Sequence, residues 1–334
     1  MKRLLYINNY NCSSEHKEGY PDNHLWGADY LTGKFEVVCA KVPGDIVSNR
    51  IPYGHVLNSL YRQMALFVRH PFIGYVYSAC GDLTDMFALA NVLHIGHRKL
   101  YKITHHGNGA IRYPNGYDRI MFISQVVRDR YSYLGNTRYI EWGGDSAFAK
   151  RFLNVEHPME FDFISAGKTG RDYKCMITAA GRVEAKTLIV SDINNVDYPK
   201  DKITVLCGNR EACNSLDYDA VFSCYAKSRF IVIPCSQKDE RNVYTINGLT
   251  SFVDAVVMHK PVLVSSSSNM GIDFEKLGIG LVYEAGNSDD MQRKMESLLN
   301  LGQEEYERMC HNMAVYSETH NYVEFCKQLV NVID

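Results

Sequence analysis

Three absences in the sequence narrow the classes of protein to which it can belong. No two of its 10 cysteines are spaced as Cys-x-x-Cys, the usual pattern of zinc sites and dithiol redox centres. No apolar stretch comes near the roughly 18 residues that a membrane-spanning helix requires. Neither sign of charge dominates, since 36 Lys and Arg stand against 38 Asp and Glu, which argues against a dedicated nucleic-acid binder.

Two further absences concern the start of the chain. The first apolar run, residues 3–9, is not followed by a Gly-x-Gly-x-x-Gly turn, which disfavours a nicotinamide-dependent dehydrogenase. The opening MKRLLYINNY has too short an apolar core for a secretory signal peptide. We therefore expect a cytoplasmic protein with reduced cysteines, whose only contact with a membrane would be peripheral, at the inner face.

Short apolar runs recur along the chain with spacers of helical length between them. Most are continuous rather than alternating, as expected for strands buried on both faces of a parallel sheet. They lie at 3–9, 35–42, 72–79, 99–106, 117–124 and 137–142, and again at 160–167, 186–192, 202–208, 229–236, 260–267 and 280–286. Segments 57–70 and 288–301 have the apolar spacing of helices. The pattern predicts two doubly wound α/β domains of the Rossmann type.

The break between the two series of runs predicts the domain boundaries. We expect a first domain over 1–150, a second over 151–310 and a C-terminal helix within 311–334. Ligands of such sheets bind beyond the carboxyl ends of the strands. The residues that follow each strand are therefore the candidates for function.

The turn after the first strand of the second series combines two cations with two glycines. Gly167 ends the strand, and Lys168, Gly170 and Arg171 precede the next helix. Glycine lets the backbone approach a phosphate group, a helix amino end offers N–H groups, and the two cations supply charge. The alternative is a solvated basic turn without a ligand.

A second turn of this kind follows the strand at 229–236. The helix after it opens with residues that can present N–H groups or hydroxyls to a diphosphate, namely Gly248, Leu249, Thr250 and Ser251. Asp254, one turn into this helix, is placed to accept hydrogen bonds from ribose hydroxyls. Taken singly, Thr250 or Ser251 is explained equally well as an N-cap. That explanation does not account for two phosphate-binding turns on one sheet.

These two segments resemble the donor half of the retaining GT-B glycosyltransferases, family 4 (glycosyl transferases group 1). The likeness rests on Gly-Lys-x-Gly-Arg-Asp-Tyr at 167–173 and on Gly-Leu-Thr-Ser-x-x-Asp-Ala-x-x-x-x-Lys-Pro-Val at 248–262. It implies a GT-B fold, in which two Rossmann-like domains face each other across a cleft and the second binds a sugar nucleotide. It also implies that the C-terminal helix within 311–334 crosses back to the first domain. Lys168 and Arg171 would hold the diphosphate, with the Arg and Lys types exchanged, and Asp254 would replace the Glu that binds ribose.

A further position departs from the family pattern. The family's first acidic residue, which contacts the transferred sugar, would fall at Ile246. Asp239 or Glu240 in the preceding loop is a candidate to replace it, and the sequence does not decide between them. The identity of the donor sugar and of its base therefore stays open.

The strand at 99–106 ends in a pair of histidines that resembles a second family feature. His105 and His106 are followed by Gly107, and in the family a histidine at this place lies near the donor sugar. The resemblance gives that catalytic position to His106 and leaves His105 on the acceptor side. A histidine satisfied within the core is the alternative.

The segment 16–31 resembles the family's loop after the first strand, which leads into the cleft. Gly19 would approach the donor phosphates there. His24 and Trp26 would contact the acceptor.

The resemblance implies a hexosyltransferase-like reaction with retention. Lys168, Arg171 and the helix amino end at 250–251 would stabilise the leaving diphosphate, and the acceptor would attack from the same face, so no protein base is required. The only Asp-x-Asp triplet, at 217–219, lies in a spacer rather than at a strand end. We therefore expect neither a metal ion nor a cofactor other than the donor substrate.

Other functions are compatible with two α/β domains. A sugar-nucleotide epimerase or a phosphorylase can use the same scaffold, and an epimerase would consume the nucleotide sugar without an acceptor. A non-catalytic two-lobed binding protein of the periplasmic type is disfavoured by the missing signal peptide and by 10 cysteines without a paired spacing.

The two halves of the chain differ in charge. Residues 1–150 carry 17 Lys and Arg against 12 Asp and Glu, and residues 151–334 carry 19 against 26. A split of this size also arises by chance, but it would suit a basic half that faces an anionic partner. The expected partners are a UDP- or GDP-sugar, a glycan or lipid-linked acceptor in surface polysaccharide or glycoconjugate biosynthesis, and the membrane surface; no nucleic acid is expected.

Overall fold

A computed structural model shows how the chain folds. It describes residues 1–8, 12–79, 83–105, 107, 111–193, 196–207, 216–238 and 244–333. The chain divides into two compact units. The first unit comprises residues 1–16, 22–141 and 325–334, and the second comprises 17–21 and 142–324.

The first unit is built on a six-stranded parallel sheet with the order β2-β1-β3-β4-β5-β6. Its strands are β1 (Lys2–Ile7), β2 (Phe35–Cys39), β3 (Tyr75–Ser78), β4 (Lys99–Thr104), β5 (Arg119–Phe122) and β6 (Thr137–Tyr139). The central strands are buried on both faces, which explains their continuous apolar sequences. The strand order reverses between β1 and β3, and this is the switch point of the sheet.

Helices cover this sheet. They are α1 (Ala28–Leu31), α2 (Gly54–Arg69), α3 (Asp85–Val92) and α4 (Gln125–Asp129), together with most of α11 (Tyr322–Ile333). Residues from Phe325 onward belong to this unit. A Cβ added to Gly27 would lie 2.4 Å from a methyl group of Leu329, so glycine lets α11 pack closely there.

The second unit has its own six-stranded parallel sheet, with the order β12-β11-β10-β7-β8-β9. Its strands are β7 (Phe161–Ala166), β8 (Thr187–Val190), β9 (Ile203–Leu206), β10 (Ser228–Ile233), β11 (Val262–Ser265) and β12 (Gly280–Tyr283). The order reverses between β7 and β10, so the carboxyl ends of these two strands form the switch point.

The helices of the second unit lie against both faces of that sheet's core. They are α5 (Ser146–Leu153), α6 (Tyr173–Ala180), α7 (Tyr218–Ala226), α8 (Leu249–Val257), α9 (Ser288–Leu299) and α10 (Gln303–Thr319). One face is filled by fully buried side chains of strands and helices, including Phe163, Phe230, Met176, Met291 and Leu298. The chain enters this unit at Trp142, ahead of α5. Phe148 of α5 packs edge-on against Phe222 of α7 at 4.9 Å.

The strands coincide with the apolar runs, which confirms the predicted α/β class with two doubly wound sheets. The helices predicted at 57–70 and 288–301 are α2 and α9. Several strands end before their apolar run does. The run at 229–236 is one example, because β10 ends at Ile233 and residues 234–236 form hydrogen bonds to the turn after β7 instead.

The short 3-10 helix at Pro114–Gly116 packs against the backbone of α3. A Cβ added to Gly116 would lie 2.2 Å from the carbonyl oxygen of Ala88. The side-chain amide of Asn91 also donates to the Gly116 carbonyl at 2.9 Å. Only glycine fits this approach of two backbones.

We expect Gly116→Ala to destabilise the first unit by about 1–3 kcal/mol, since the added methyl group must push the two segments apart. Calorimetric melting should show the lower transition temperature. Gly135→Ala is the matched control, because no atom lies within 4 Å of a Cβ at that position. Equal melting temperatures for the two variants would contradict this account of the packing.

Candidate functional site

Two loops meet at the switch point of the second sheet. The turn after β7 and the segment after β10 are joined by backbone hydrogen bonds. The Asp172 N–H donates to the Pro234 carbonyl at 2.6 Å, and the Ser236 N–H donates to the Gly170 carbonyl at 3.0 Å. The two loops therefore form one continuous rim along the carboxyl edge, where ligands of such sheets bind.

Four consecutive serines, 265–268, fasten this rim, and they begin with the last residue of β11, the other strand beside β10. Their hydroxyl and carbonyl groups bond to three neighbouring loops: Ser265 to the Cys235 carbonyl (3.0 Å), Ser267 to the Ser236 carbonyl (2.9 Å), Ser266 to the Ala285 N–H (3.1 Å), and Ser268 to the Asn247 N–H (3.1 Å). Sequence reasoning missed this role. The run of serines at a strand end was the signal that could have revealed it.

The Arg171 guanidinium is held across the rim. Its Nη2 donates to the Ser251 hydroxyl at 2.9 Å, and its Nη1 donates to the Thr169 carbonyl at 3.1 Å. Its Nε is buried, and no described residue accepts a hydrogen bond from it. A Cβ on Gly167 would lie 2.7 Å from the guanidinium, so glycine makes room for the cation. Arg171 thus keeps a donor for which the described part of the chain supplies no acceptor.

Ser251 connects three elements. Its hydroxyl donates to the Ala166 carbonyl at the end of β7 at 2.8 Å and accepts from Arg171. The side chain is only 4% exposed. Its bonds run across the sheet rather than back to its own helix, so the interpretation of Ser251 as an N-cap is wrong.

The first turn of α8 has no side-chain cap among the described residues. Its N-cap is Gly248, and the exposed Thr250 does not serve as one either. By contrast, α6, α7 and α9 are capped by Asp172, Asp217 and Asn287. The amino end of α8 therefore presents N–H groups, with Leu249 and Thr250 in its first turn, beside the Arg171 guanidinium.

Gly248 fixes where α8 begins. Its φ is 80°, in the left-handed region, and a Cβ there would lie 2.2 Å from a methyl group of Ile233. The turn can approach β10 this closely only with glycine. Ile246, at the family's first acidic position, is itself buried.

Lys168 contacts Asp192, whereas Arg171 contacts Ser251. Its ammonium forms an ion pair with Asp192, after β8, at 3.3 Å, and half of the side chain is exposed. An exposed pair of this kind is weak and exchanges readily. The structure thus fixes one of the two predicted cations at α8 and leaves the other in a pair that is easily broken.

Lys238 is a third cation at this edge, which sequence reasoning missed. It lies after Cys235 on the rim, and its ammonium donates to the Thr245 carbonyl. Burial lowers the pKa of Lys238 to about 8. Nothing in the sequence distinguished it from a solvated loop residue. Asp239 and Glu240, the candidates next to it, lie outside the described residues.

Asp254 lies one turn into α8 and is 4% exposed. Burial raises the pKa of its carboxyl from 3.8 to about 8. No described residue donates a hydrogen bond to this carboxylate, and the buried Tyr225 is one of its electrostatic neighbours. A buried acceptor without donors is costly, and a ligand with hydroxyl groups would satisfy it.

Gly19 lies close to a carboxylate rather than to a cation. Residues 17–21 belong to the second unit, and a Cβ on Gly19 would lie 3.6 Å from the Asp219 carboxylate. The next residue, Tyr20, packs edge-on against Tyr218 at 4.6 Å. Its approach to donor phosphates stays a prediction.

The Asp-x-Asp triplet has structural roles. Asp217 caps α7 by accepting from the Ala220 N–H at 2.8 Å, and Asp219 pairs with Arg151 at 3.0 Å. Within the described ranges, no group of three or more His, Cys, Asp or Glu side chains is arranged to hold a metal ion. Independence of metal stays a prediction.

The structure brings together two of the three acceptor-side residues of the first unit, Trp26 and His105, in a packed cluster. The Trp26 ring stacks on His105 at 4.7 Å and meets Phe325 edge-on at 6.2 Å. Trp26 is only 9% exposed, and burial lowers the pKa of His24 to about 4. Most of the Trp26 surface is used in packing. His106, the predicted catalytic histidine, lies outside the described residues.

No helix in the described part of the chain combines the length and the apolar character needed to cross a bilayer.

Comparison with solved structures finds the same fold in glycosyltransferases. A glycosyltransferase from Rickettsia africae ESF-5 covers 99% of this chain and 97% of its own, with TM-score 0.64 and 11% identity. Sucrose-phosphate synthase from Thermosynechococcus elongatus covers 99% of this chain and 98% of its own, with TM-score 0.68 and 13% identity. HepE from Anabaena in complex with UDP covers 100% of this chain and 99% of its own, with TM-score 0.61 and 12% identity. These likenesses confirm the predicted GT-B class of fold, two doubly wound α/β domains, and at such identities they show the fold alone.

No protein-family model matches the sequence, and no curated protein matches it.

We expect Asp254→Asn to gain stability relative to the wild type as pH rises. The folded protein holds the Asp254 proton up to a pKa of about 8, whereas the unfolded chain releases it near 3.8. The wild type therefore loses about 1.4 kcal/mol per pH unit between these values, and the amide does not. Urea unfolding of both proteins without ligand, at several pH values, measures the difference. A gap that is independent of pH would show that burial does not hold the proton.

Proposed function

We propose that the protein is a glycosyltransferase that moves a sugar from a nucleoside-diphosphate donor to a glycan or lipid-linked acceptor. One observation carries the proposal. The Arg171 guanidinium is held by Ser251 beside the uncapped amino end of α8, at the switch point of a doubly wound sheet. This arrangement suits a diphosphate, and the solved structure of HepE, which has the same fold, contains UDP.

The diphosphate would satisfy donors for which the described residues provide no acceptor. The buried Arg171 Nε–H and the N–H groups at Leu249 and Thr250 suit phosphate oxygens in number and charge. Lys168 would exchange Asp192 for the second phosphate, because an exposed ion pair costs little to break. As the bond to the sugar breaks, the same groups would stabilise the charge that develops on the leaving diphosphate.

Asp254 would bind the ribose of the donor. Its carboxylate is buried and accepts no hydrogen bond from a described residue, and two adjacent ribose hydroxyls supply two donors. Hydrogen bonds to the charged form would lower the raised pKa of Asp254 again. Nucleotide binding would thus release a proton, and it should strengthen as pH rises towards 8.

We propose hexosyl transfer with retention and without a metal ion. The bond between the anomeric carbon and the diphosphate oxygen breaks, and its electron pair leaves with the diphosphate. The acceptor hydroxyl forms the new bond on the same face and passes its proton to the departing phosphate oxygen. His106 is proposed beside the sugar. A role in surface glycan assembly in the cytoplasm is consistent with the free thiols of all eight described cysteines.

The first test uses UDP, GDP and their sugar conjugates in a thermal-shift panel. We expect a rise in melting temperature with one of the two bases, because a ligand that binds only the folded state stabilises it. Arg171→Ala should abolish that rise and lower turnover by about 100-fold or more, since it removes charge from the diphosphate site.

Arg182→Ala is the matched control for Arg171→Ala. It removes the same charge from the same unit, at an exposed surface pair with Asp289, and it should leave binding and turnover unchanged. Normal binding and turnover in Arg171→Ala would overturn the assignment. Consumption of a nucleotide sugar without any acceptor would instead indicate an epimerase.

The second test isolates the ribose contact. The wild type should bind the preferred nucleoside diphosphate more tightly than its 2′,3′-dideoxy analogue, since the analogue leaves the Asp254 carboxylate unpaired. Asp254→Asn should reduce that preference by about tenfold or more, because a neutral amide accepts weaker hydrogen bonds than a carboxylate. Calorimetric titration measures both affinities. An unchanged preference in Asp254→Asn would place the ribose elsewhere, even if Arg171 binds the diphosphate.

A further inference from the structure

Helix α2 of the first unit buries polar side chains and exposes an apolar stripe. Its buried positions are Gly54, Asn58, Gln63 and Leu66, two of which are polar. Its outward positions carry apolar side chains that are 36–67% exposed: Val56, Leu57, Leu60, Tyr61, Met64 and Val68. A surface helix of a globular domain normally buries its apolar stripe and exposes its polar one.

Asn58 holds the first half of the helix in this orientation. Its side-chain oxygen accepts from the N–H groups of Ile46 and Val47 at 3.0 and 3.1 Å, and its amide donates to the Val47 carbonyl at 2.8 Å. The residue is 1% exposed. Rotating α2 to bury its apolar stripe would break all of these bonds and leave buried groups unpaired.

Gln63 does the same in the second half. Its side-chain oxygen accepts from the Met86 N–H at the start of α3, at 3.2 Å, and its amide donates to Ser59 at 3.2 Å. The side chains of Asn58 and Gln63 therefore both face inward and form hydrogen bonds there. These bonds keep the apolar stripe of α2 on the outer side of the helix.

The apolar surface continues past both ends of the helix. Tyr53, just before it, is 75% exposed, and Phe72, just after it, is 98% exposed. The Arg98 guanidinium donates to the carbonyls of Pro71 and Ile95 at 2.6 and 2.9 Å, which ties the segment of the half-exposed Ile95 to the residue before Phe72. We call this surface the α2 face, comprising Tyr53, Val56, Leu57, Leu60, Tyr61, Met64, Val68, Phe72 and Ile95.

Cations border the α2 face. Residues 41–72 contain four Lys and Arg but only one acidic residue, Asp45, and Asp45 is paired with Arg62 at 2.6 Å. Lys41, Arg50 and Arg69 remain as exposed positive charges. The helix itself contains no acidic residue. An extended apolar stripe with positive borders is complementary to a surface that offers acyl chains beneath anionic headgroups.

We propose that the α2 face docks on a bilayer that contains anionic lipid, with α2 lying along the membrane surface. The helix has 16 residues, so it spans about 24 Å at roughly 1.5 Å per residue. Its apolar side chains would enter the boundary between headgroups and acyl chains, and the bordering cations would contact lipid phosphates. Membrane docking would bring the first unit to a lipid-linked acceptor, but the docking itself does not depend on the proposed transfer reaction.

A second copy of the chain is a poorer occupant of this surface. A two-fold interface places the same patch on both partners. Arg50 and Arg69 of one copy would then approach the same cations of the other, and like charges oppose association. Anionic lipid neutralises those cations.

The test is co-sedimentation of the purified full chain with vesicles. We expect binding to vesicles of equal parts phosphatidylcholine and phosphatidylglycerol, weak binding to phosphatidylcholine alone, and weakening as salt is raised. The triple variant Leu57→Ser, Leu60→Ser, Met64→Ser should bind at least about tenfold more weakly, since three apolar side chains that would enter the bilayer are replaced by polar ones.

The matched control is Val126→Ser, Val315→Ser, Val323→Ser, which alters exposed apolar residues outside the α2 face. It should bind vesicles as the wild type does. All three proteins should share one melting temperature and one response to nucleoside diphosphates, so a loss of vesicle binding is not a loss of folding or of the nucleotide site.

Two outcomes would overturn the proposal. One is vesicle binding that does not depend on anionic lipid, on salt or on the triple substitution. The other is no vesicle binding together with a dimer, detected by sedimentation equilibrium, that the triple substitution dissociates, which would assign the α2 face to a second copy. Neither outcome bears on nucleotide binding, which the thermal-shift panel measures separately.

Discussion

One hydroxyl group joins the parts of the candidate site. Ser251 donates to the end of β7 and accepts from Arg171, so a strand, a cationic turn and a helix amino end share a single hydrogen-bonded centre. The serine run at the end of β11 fastens the neighbouring loop in the same way. A preorganised cation costs little to bring into place when charge develops. The site therefore depends on bonds that are made before any ligand arrives.

Local charge and net charge differ in the second half of the chain. Residues 151–334 are acidic overall, yet the rim at the switch point carries a fixed guanidinium and an uncapped helix. Asp254 is close to this positive site but is buried, and its raised pKa keeps it largely protonated at neutral pH. A diphosphate therefore meets little repulsion there. Because salt screens electrostatic attraction over a short distance, the charges nearest to the site matter more than the net charge of residues 151–334.

The sequence predicted the two sheets and the two turns because continuous apolar runs and glycine-rich strand ends are local signals. It did not predict which side chains contact each other across the sheet. That Lys168 pairs with Asp192 while Arg171 turns to α8 depends on which strands are neighbours. Trp26 and His105 were recognised by type, but their stacking follows from tertiary packing. The apolar spacing of 57–70 predicted a helix without indicating which side faces inward.

The orientation of α2 separates two demands on one segment. Its inward polar residues make the hydrogen bonds that hold the helix, whereas its outward apolar residues are 36–67% exposed. Polar substitutions on the outer side would leave those hydrogen bonds in place. The surface that α2 presents to its surroundings can therefore change while its attachment to the first unit stays the same.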